Sequence, residues 1–217
     1  MKIDKNSYGT IAFVYFLCAA FAVAFCALVN PFWPKLVVVL IMLGLSVFIT
    51  FFFRVPRRQQ VGNGDVITSV ADGKVVILEK AYEPEYLKRE CIQVSVYMDF
   101  FDVHANFWPV SGEISYYKYH PGKYLLAFLP KASELNEHSS TCIVTDSGKE
   151  VFFKQIAGTF ARRIVCYSKP GLRTEAGKQC GVIKFGSRID MFLPLDADIQ
   201  VELGNYTRAC ETIIANL

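Results

Sequence analysis

Residues 182–194 read VIKFGSRIDMFLP and place two apolar runs on either side of the dipeptide Gly186-Ser187. Short apolar runs bounded by turn residues are typical of buried β-strands. Taken alone, a Gly-Ser pair between such runs is more often a turn or a bulge in a strand than a reactive site. The stretch therefore predicts short strands with a turn or bulge at this dipeptide.

The rest of the chain from Asp65 onward shows the same kind of pattern. Turn signals separate β-prone runs at 74–80 (KVVILEK), 91–98 (CIQVSVYM), 110–120, 140–145 and 150–155. A helix is expected around residues 131–137. The pattern predicts a mainly β domain of the β-sandwich or barrel-sandwich type with few helices.

A weak internal repeat lies near the end of the chain. Residues 171–177 (GLRTEAG) resemble residues 204–210 (GNYTRAC). Such a pair is typical of the two matching hairpins of a biotinyl- or lipoyl-type sandwich, although two similar turns can also arise by chance. Neither copy offers an obvious lysine at a hairpin tip for modification, so the repeat indicates fold and not a carrier function.

Two uncharged apolar runs lie near the N-terminus, at residues 11–29 and 36–53. A run of about 18 or more apolar residues is a candidate transmembrane helix. A buried core helix is usually shorter, and a cleaved signal peptide has a shorter apolar stretch with no second span directly after it. The runs predict a membrane anchor over 1–53, formed by a helical hairpin, followed by a linker over 54–64 and a domain over 65–217.

Basic residues flank this hairpin unevenly. A single lysine lies in the turn, whereas five basic residues lie outside it: Lys2, Lys5, Arg54, Arg57 and Arg58. Cytoplasmic flanks carry the excess of lysine and arginine. The sequence therefore predicts that both ends of the hairpin, and the domain, lie on the cytoplasmic side of the cell membrane.

Composition excludes several classes of function. The net charge of +3 is small, and it predicts no basic face of the kind that nucleic-acid binding needs. The seven cysteines are dispersed without a C-x-x-C pair, which favours reduced thiols over a disulfide framework or a zinc site. We expect neither a nucleic-acid partner nor a metal.

The segment 182–194 strongly resembles the processing segment of the short, membrane-bound phosphatidylserine decarboxylases. The resemblance continues in the same order through FRVPR (53–57), ADG (71–73), FDVHAN (101–106), YHPGK (119–123), QIAG (155–158) and RRI (162–164). One such string would be weak support. Together the strings cover essentially the whole domain, and the N-terminal hairpin agrees with them.

This resemblance implies a set of catalytic residues and a self-made cofactor. By the family's pattern Ser187 is the nucleophile, His104 is its base, and Asp72 is the carboxylate that orients the base. Cleavage between Gly186 and Ser187 would give chains 1–186 and 187–217 and leave a pyruvoyl group on residue 187. The pyruvoyl carbonyl would form a Schiff base with phosphatidylserine and act as an electron sink while CO2 leaves, giving phosphatidylethanolamine.

Several residues have alternative interpretations. Without the resemblance, Asp72 would be read as a turn residue, and His104 as a hydrogen-bonded core histidine. His120 is a candidate proton donor, or part of a purely structural turn. We interpret His138 as a surface residue.

The phosphate ligand and the proton donor stay open. Arg162, Arg163 and Arg188 are candidate phosphate ligands. The first two are neighbours in an expected strand, so at most one of them should face the site. Long members of the family carry a second histidine soon after the first, whereas the segment ANFWP at 105–109 has none, and the basic residue usual near Phe107 in short members is also absent. The proton donor could be His104, His120 or water.

The main alternative is a non-catalytic, membrane-tethered adaptor or scaffold with a lipoyl-type sandwich domain. It would explain the anchor and the repeat, but not Asp72, His104 and Ser187 with their flanking strings. The expected partners are phosphatidylserine, membrane lipid and the chain's own cleaved small fragment. A homo-oligomer and the backbone type of the lipid are left open.

Overall fold

The protein divides into two compact units, Met1–Pro56 and Arg57–Leu217. The computed structural model describes residues 2–127, 132–158, 164–184 and 187–217. The predicted fold class is confirmed, because the structure is mainly β with two apolar helices at the N-terminus.

The first unit is a pair of long helices, α1 (Tyr8–Leu28) and α2 (Phe32–Phe52). Each has 21 residues and is long and apolar enough to cross a membrane. Each helix begins a few residues before the corresponding apolar run in the sequence, which starts at residue 11 for α1 and at residue 36 for α2. Where the helices pack together, the hydroxyls of Tyr15 and Thr50 are 2.7 Å apart. Beyond the helix ends, the short strands β1 (Lys2–Ile3) and β2 (Arg54–Val55) pair antiparallel.

The second unit is built from strands. In chain order they are β3 (Val66–Thr68), β4 (Gly73–Glu83), β5 (Arg89–Met98), β6 (Ala105–Phe107), β7 (Gly112–His120), β8 (His138–Val144), β9 (Glu150–Ala157), β10 (Ile164–Cys166), β11 (Arg173–Thr174), β12 (Gln179–Ile183), β13 (Ser187–Leu193), β14 (Asp198–Ile199), β15 (Tyr206–Thr207) and β16 (Ile213–Asn216). A short helix, α3 (Ala132–Leu135), lies within the stretch where the sequence predicts one.

The largest sheet curls into a half-barrel with the strand order β11-β7-β8-β9-β13-β5-β4-β15. Two three-stranded sheets accompany it within the described residues, in the orders β10-β12-β6 and β14-β16-β3. The pairs are antiparallel, so side chains in register across the large sheet point to the same face. The central strand β13 is buried along all seven of its residues.

The two faces of the large sheet differ in chemistry. On one face Ile189, Met191 and Leu193 of β13 join the main apolar core together with Val94 and Val96 of β5. The opposite face carries a smaller apolar cluster and a row of charged and polar side chains, which the tip of the β4–β5 hairpin covers. Alternation along β13 therefore separates an apolar environment from a polar one across a single strand.

The internal repeat is a pair of equivalent turns. Thr174 and Thr207 occupy matching places at the starts of β7 and β4, where β11 and β15 pair with them. Each threonine hydroxyl lies within 3.2 Å of two carbonyl oxygens: those of Val110 and Gly112 for Thr174, and those of Ala71 and Gly73 for Thr207. Gly177 and Cys210 close the two turns with φ angles of 80° and 67°. The likeness is thus structural and not a chance similarity of sequence.

Removing one threonine hydroxyl should destabilise the fold. Thr207→Val keeps the shape of the side chain but leaves two buried carbonyl oxygens without this donor, which costs about 1–3 kcal/mol. We expect thermal unfolding of the full chain in detergent to show a lower Tm for Thr207→Val, with Thr207→Ser close to wild type. Equal Tm values for the valine and serine variants would contradict this role.

Candidate active site

Ser187 is the first residue of the central strand β13. It is in register with Met98 at the end of β5 on one side and with Ala157 at the end of β9 on the other. The side chain is fully buried on the core face, and its hydroxyl lies 3.6 Å from the Sδ atom of Met98. A thioether is a weak hydrogen-bond acceptor. The hydroxyl is therefore buried, with only this weak acceptor among the described residues. Gly186, the expected partner in cleavage, lies outside them.

His104 lies just before β6 and is also fully buried. Its Nδ1 atom is 3.1 Å from the carbonyl oxygen of Asp102. A carbonyl can only accept, so Nδ1 is the donor in this contact. The carbonyl of His104 accepts a hydrogen bond from Ile183 N at 3.2 Å. His104 is thus tied to the end of β12, the strand that leads along the chain toward Ser187.

Asp72 forms a buried ion pair with Arg58, a residue from the predicted linker. Arg58 Nη2 donates to one carboxylate oxygen at 2.6 Å, Arg58 Nη1 donates to the other, and Ala209 N donates to Asp72 at 2.9 Å. Burial lowers the pKa of Arg58, but the hydrogen bond and charge of Asp72 outweigh it and raise the pKa overall. In this structure the described partners of the Asp72 carboxylate are Arg58 and Ala209, so the orientation of His104 by Asp72 stays a prediction.

The topology brings the three predicted residues to one end of the β-structure. Gly73, which follows Asp72, lies against β5 so closely that a Cβ atom there would be 2.2 Å from the carbonyl oxygen of Tyr97. The next residue of β5 is in register with Ser187, and the chain then continues from β5 through a turn to His104. Asp72, His104 and Ser187 therefore come from three segments that meet where β4 and β13 begin and β5 ends.

The candidate phosphate ligand Arg188 is enclosed. It is fully buried, its Nε atom is 2.7 Å from Asp190 Oδ1, and Nη1 donates to the carbonyl of Ala127 at 3.1 Å. Successive residues of a strand face opposite sides, so Arg188 points away from the face that carries Ser187. A lipid phosphate would have to replace Asp190 to bind it. The other two candidates, residues 162 and 163, lie outside the described part of the chain.

His120 belongs to a hydrogen-bonded cluster on the polar face. Its Nε2 atom is 2.6 Å from Glu85 Oε1, and Glu85 also accepts from Ser140 at 2.8 Å and pairs with Lys154 at 3.1 Å. Burial raises the pKa of Glu85, but the hydrogen bonds from His120 and Ser140 and the charge of Lys154 outweigh it and lower the pKa to about 2. The register places His120 in the row of Arg188, on the face opposite Ser187.

The prediction that His138 is a surface residue is wrong. Only 7% of it is exposed, its ring stacks on that of His120 with centroids 4.4 Å apart, and its Nδ1 atom donates to the carbonyl of Asn136 at 2.7 Å. It is buried because β8 pairs between β7 and β9. Sequence analysis had no signal for this, since the burial depends on strands far apart in the chain.

Three side chains of this cluster could hold a metal ion. Ligand atoms of Glu85, His120 and His138 lie within 4.8 Å of one another. The carboxylate of Glu85, however, already accepts hydrogen bonds and faces the ammonium of Lys154. A divalent cation would have to displace these donors against a neighbouring positive charge. The cluster therefore fits an ion-pair network better than a metal centre.

A buried chain of amides that sequence reasoning missed also reaches Met98, the residue that Ser187 contacts. Asn106 Nδ2 lies 3.8 Å from the same Met98 Sδ atom that Ser187 contacts, and Gln155 Nε2 donates to Asn106 Oδ1 at 2.8 Å. Asn106 falls within the string FDVHAN, and Gln155 opens the string QIAG. Their presence in these two strings was the available signal, but no spacing rule indicated that the two amides would touch.

Comparison with known proteins gives one consistent family. The family model for phosphatidylserine decarboxylase matches residues 45–215. A protein of Amoebophilus asiaticus named phosphatidylserine decarboxylase proenzyme is 50% identical over 173 residues, which cover 80% of this chain and 77% of that protein. One of the same name from Cytophaga hutchinsonii is 38% identical over 220 residues, covering 99% and 98%.

These matches define the class as enzymes, which argues against the adaptor alternative. The chain belongs to the phosphatidylserine decarboxylase family. The resemblance that rests on residues 182–194 and the accompanying strings is thereby confirmed.

Burial of His138 should make the fold sensitive to mild acid. Burial lowers the pKa of His138 below its ordinary value of 6.5, and the charges of His120 and Lys154 add to this against the hydrogen bond to Asn136. The folded state then binds fewer protons than the unfolded state, so stability is present above pH 6.5 and is lost as the pH falls through the folded pKa. We expect the Tm of the wild type to fall more than that of His138→Gln between about pH 7.5 and 5.5. Parallel curves for the two proteins would contradict this assignment.

Proposed function

We propose that this chain is the precursor of a pyruvoyl-dependent enzyme that removes CO2 from phosphatidylserine and leaves phosphatidylethanolamine. The observation that carries the proposal is the position of Ser187, a buried hydroxyl at the first residue of a strand that is paired on both sides. A cut before this residue leaves the strand whole. An uncleaved scaffold, the alternative, would not need a buried serine at this position.

Strand pairing supports a stable product of the cut. The fragment 187–217 would contain β13 to β16. Of these, β13 pairs with β5 and β9, β15 pairs with β4, and β16 pairs with β3, all of which belong to the fragment 1–186. The small fragment would therefore stay in the fold as a partner of the large one, with the new N-terminus buried in the core.

The self-cleavage that we propose uses residues of this chain alone. Ser187 Oγ adds to the carbonyl carbon of Gly186 while its proton passes to Nε2 of His104. The C–N bond breaks, the nitrogen takes a proton, and an ester joins the two residues. Loss of the Cα proton of residue 187 with cleavage of its Cβ–Oγ bond releases the carboxylate of residue 186. Water then hydrolyses the remaining dehydroalanine, and ammonia leaves.

We assign His104 as the base in this scheme. Its Nδ1 atom donates to the carbonyl oxygen of Asp102, and in the neutral ring Nε2 is the nitrogen that can accept a proton. For Asp72 to orient His104, its carboxylate has to exchange Arg58 for the imidazole. The proposal therefore assigns the Arg58–Asp72 pair to the resting precursor.

The surroundings of residue 187 fit a pyruvoyl group. Residue 187 is fully buried, and its side chain contacts the polarisable thioether of Met98. A pyruvoyl carbonyl supplies an electron sink for the charge that forms when CO2 leaves. Among the candidate proton donors, His104 and water are favoured over His120, which faces the other side of the sheet. A lipid phosphate would be bound by Arg162 or Arg163 more readily than by Arg188, which Asp190 already engages.

The two apolar helices suit an enzyme with a membrane lipid as substrate. We propose that they anchor the chain in the cell membrane, with the domain on the cytoplasmic side as the flanking charges predict. Anchoring raises the effective concentration of head groups at the site. Nothing in this scheme needs a second copy of the chain.

The Ser187→Ala variant tests the proposal directly. It should remain a single species of about 24.5 kDa in intact-mass spectrometry and release no CO2 from phosphatidylserine. The wild type should give two fragments, of which the one that starts at residue 187 carries a pyruvoyl cap. Ser95→Ala, which alters another buried strand serine on the opposite face, is the matched control and should cleave like wild type. Decarboxylation by Ser187→Ala would overturn the proposal.

Deleting residues 1–53 tests the role of the helices. Since Arg58 and the whole second unit are retained, we expect self-cleavage at the wild-type rate. Activity on phosphatidylserine vesicles should fall at least about tenfold, because the substrate is no longer concentrated at the site. Activity on a short-chain phosphatidylserine dissolved in detergent should be similar for the two proteins. Equal activity on vesicles would contradict an anchoring role.

A further inference from the structure

The amide of Asn106 is a buried donor with a poor acceptor. The residue is fully buried, and within the described part of the chain the acceptor of its Nδ2 group is the thioether of Met98 at 3.8 Å. A primary amide offers two N–H donors, and sulfur in a thioether accepts only weakly. Leaving a buried donor poorly satisfied costs about 1–3 kcal/mol, so such a group requires an explanation.

A relay of side chains fixes which way this amide points. Gln155 Nε2 donates to Asn106 Oδ1 at 2.8 Å, and Ser139 Oγ donates to Gln155 Oε1 at 3.0 Å. Gln155 and Ser139 are register partners on β9 and β8, and both are fully buried. Gly181 makes room for the relay, because a Cβ atom there would lie 2.8 Å from Gln155 Nε2. With its oxygen held by Gln155, the Asn106 amide presents its NH2 group toward Met98.

Two donors meet on one sulfur atom. The hydroxyl of Ser187 lies 3.6 Å from Met98 Sδ, and the NH2 group of Asn106 approaches the same atom. Before reaction both donors share this weak acceptor. When Ser187 Oγ loses its proton and attacks, negative charge develops next to the sulfur atom that the NH2 group also contacts. A preorganised donor that gains a strong acceptor only during the attack stabilises the transition state without stabilising the ground state. Such a donor therefore lowers the barrier.

We propose that Asn106 donates the hydrogen bond that stabilises the negative charge formed at Ser187 Oγ and at the carbonyl it attacks during self-cleavage. Gln155 and Ser139 are positioning residues, which act by holding the Asn106 amide in this orientation. The inference deepens the proposed function and rests on it, since it presupposes that Ser187 is the nucleophile.

The test measures the rate of self-cleavage of the full chain after cell-free synthesis into phospholipid vesicles. Intact-mass spectrometry at successive times gives the fraction that remains uncleaved. Loss of one donor to an oxyanion slows a reaction about 100–1000-fold, so Asn106→Asp and Asn106→Leu should both slow cleavage by roughly this factor. Gln155→Leu should slow it less, by about tenfold, because the amide is misoriented but still present.

A matched control separates the donor from general damage to the core. Gln93→Leu removes a buried amide from the same sheet, on the opposite face, where Gln93 donates to Ser95. It should cleave at the wild-type rate. The Tm of each variant shows whether it folds. Folded Asn106 variants that cleave at the wild-type rate would overturn the inference.

Hydroxylamine identifies the step that is affected, because it cuts esters but not amides. If Asn106 acts on the first step, the uncleaved Asn106→Asp chain contains no ester and resists hydroxylamine. Release of the small fragment by hydroxylamine would place the defect in the later elimination and would overturn the proposal. A wild-type chain that never cleaves would instead contradict the proposed function itself. Failure of the proposed function is therefore distinguishable from failure of the Asn106 inference.

Discussion

The pairing of strand β13 on both sides is the constraint on which the rest of the site depends. From Ser187 to Phe192 its residues are in register with β5 and β9 at once, and each of them is buried. Hydrogen bonds on both edges fix the strand along its length and in its register. A slip of one residue would turn every side chain to the other face. The register therefore decides that Ser187, and not Arg188, faces the core.

This alternation gives two neighbouring residues opposite chemical surroundings. The side chain of Ser187 is fully buried on the face of the apolar core and contacts the sulfur of Met98. Arg188 meets Asp190 in a fully buried ion pair. Taking two charges out of water is expensive, and their attraction repays the cost only where further hydrogen bonds complete the pair. Ser133 Oγ supplies one of these to Asp190 at 2.7 Å.

Segments that are distant in the chain also hold together the structure around Asp72. The two threonine turns fasten β11 to β7 and β15 to β4, and the second of them ends beside Asp72. Arg58 reaches from the start of the second unit to the same carboxylate. The predicted linker is thus partly docked on the domain, and its arginine neutralises an acid that would otherwise be buried without a positively charged partner.

The sequence by itself determined the fold class, the two apolar helices and the family. These follow from local features, namely the length of uncharged runs, the spacing of turn residues, and short strings around Ser187 and His104. Which strands pair, and in which register, could not be predicted, because alternation along one strand does not specify its neighbours.

Only the tertiary structure decided which buried polar groups meet. Arg58 binds Asp72, His138 stacks under His120, and Gln155 holds an amide 49 residues away in the chain. A polar residue in a β-prone run carries no sign of its partner, since its cost of burial is offset by a group that chain folding brings from elsewhere. The sequence therefore indicated a candidate nucleophile and a candidate base, and the fold decided what surrounds them.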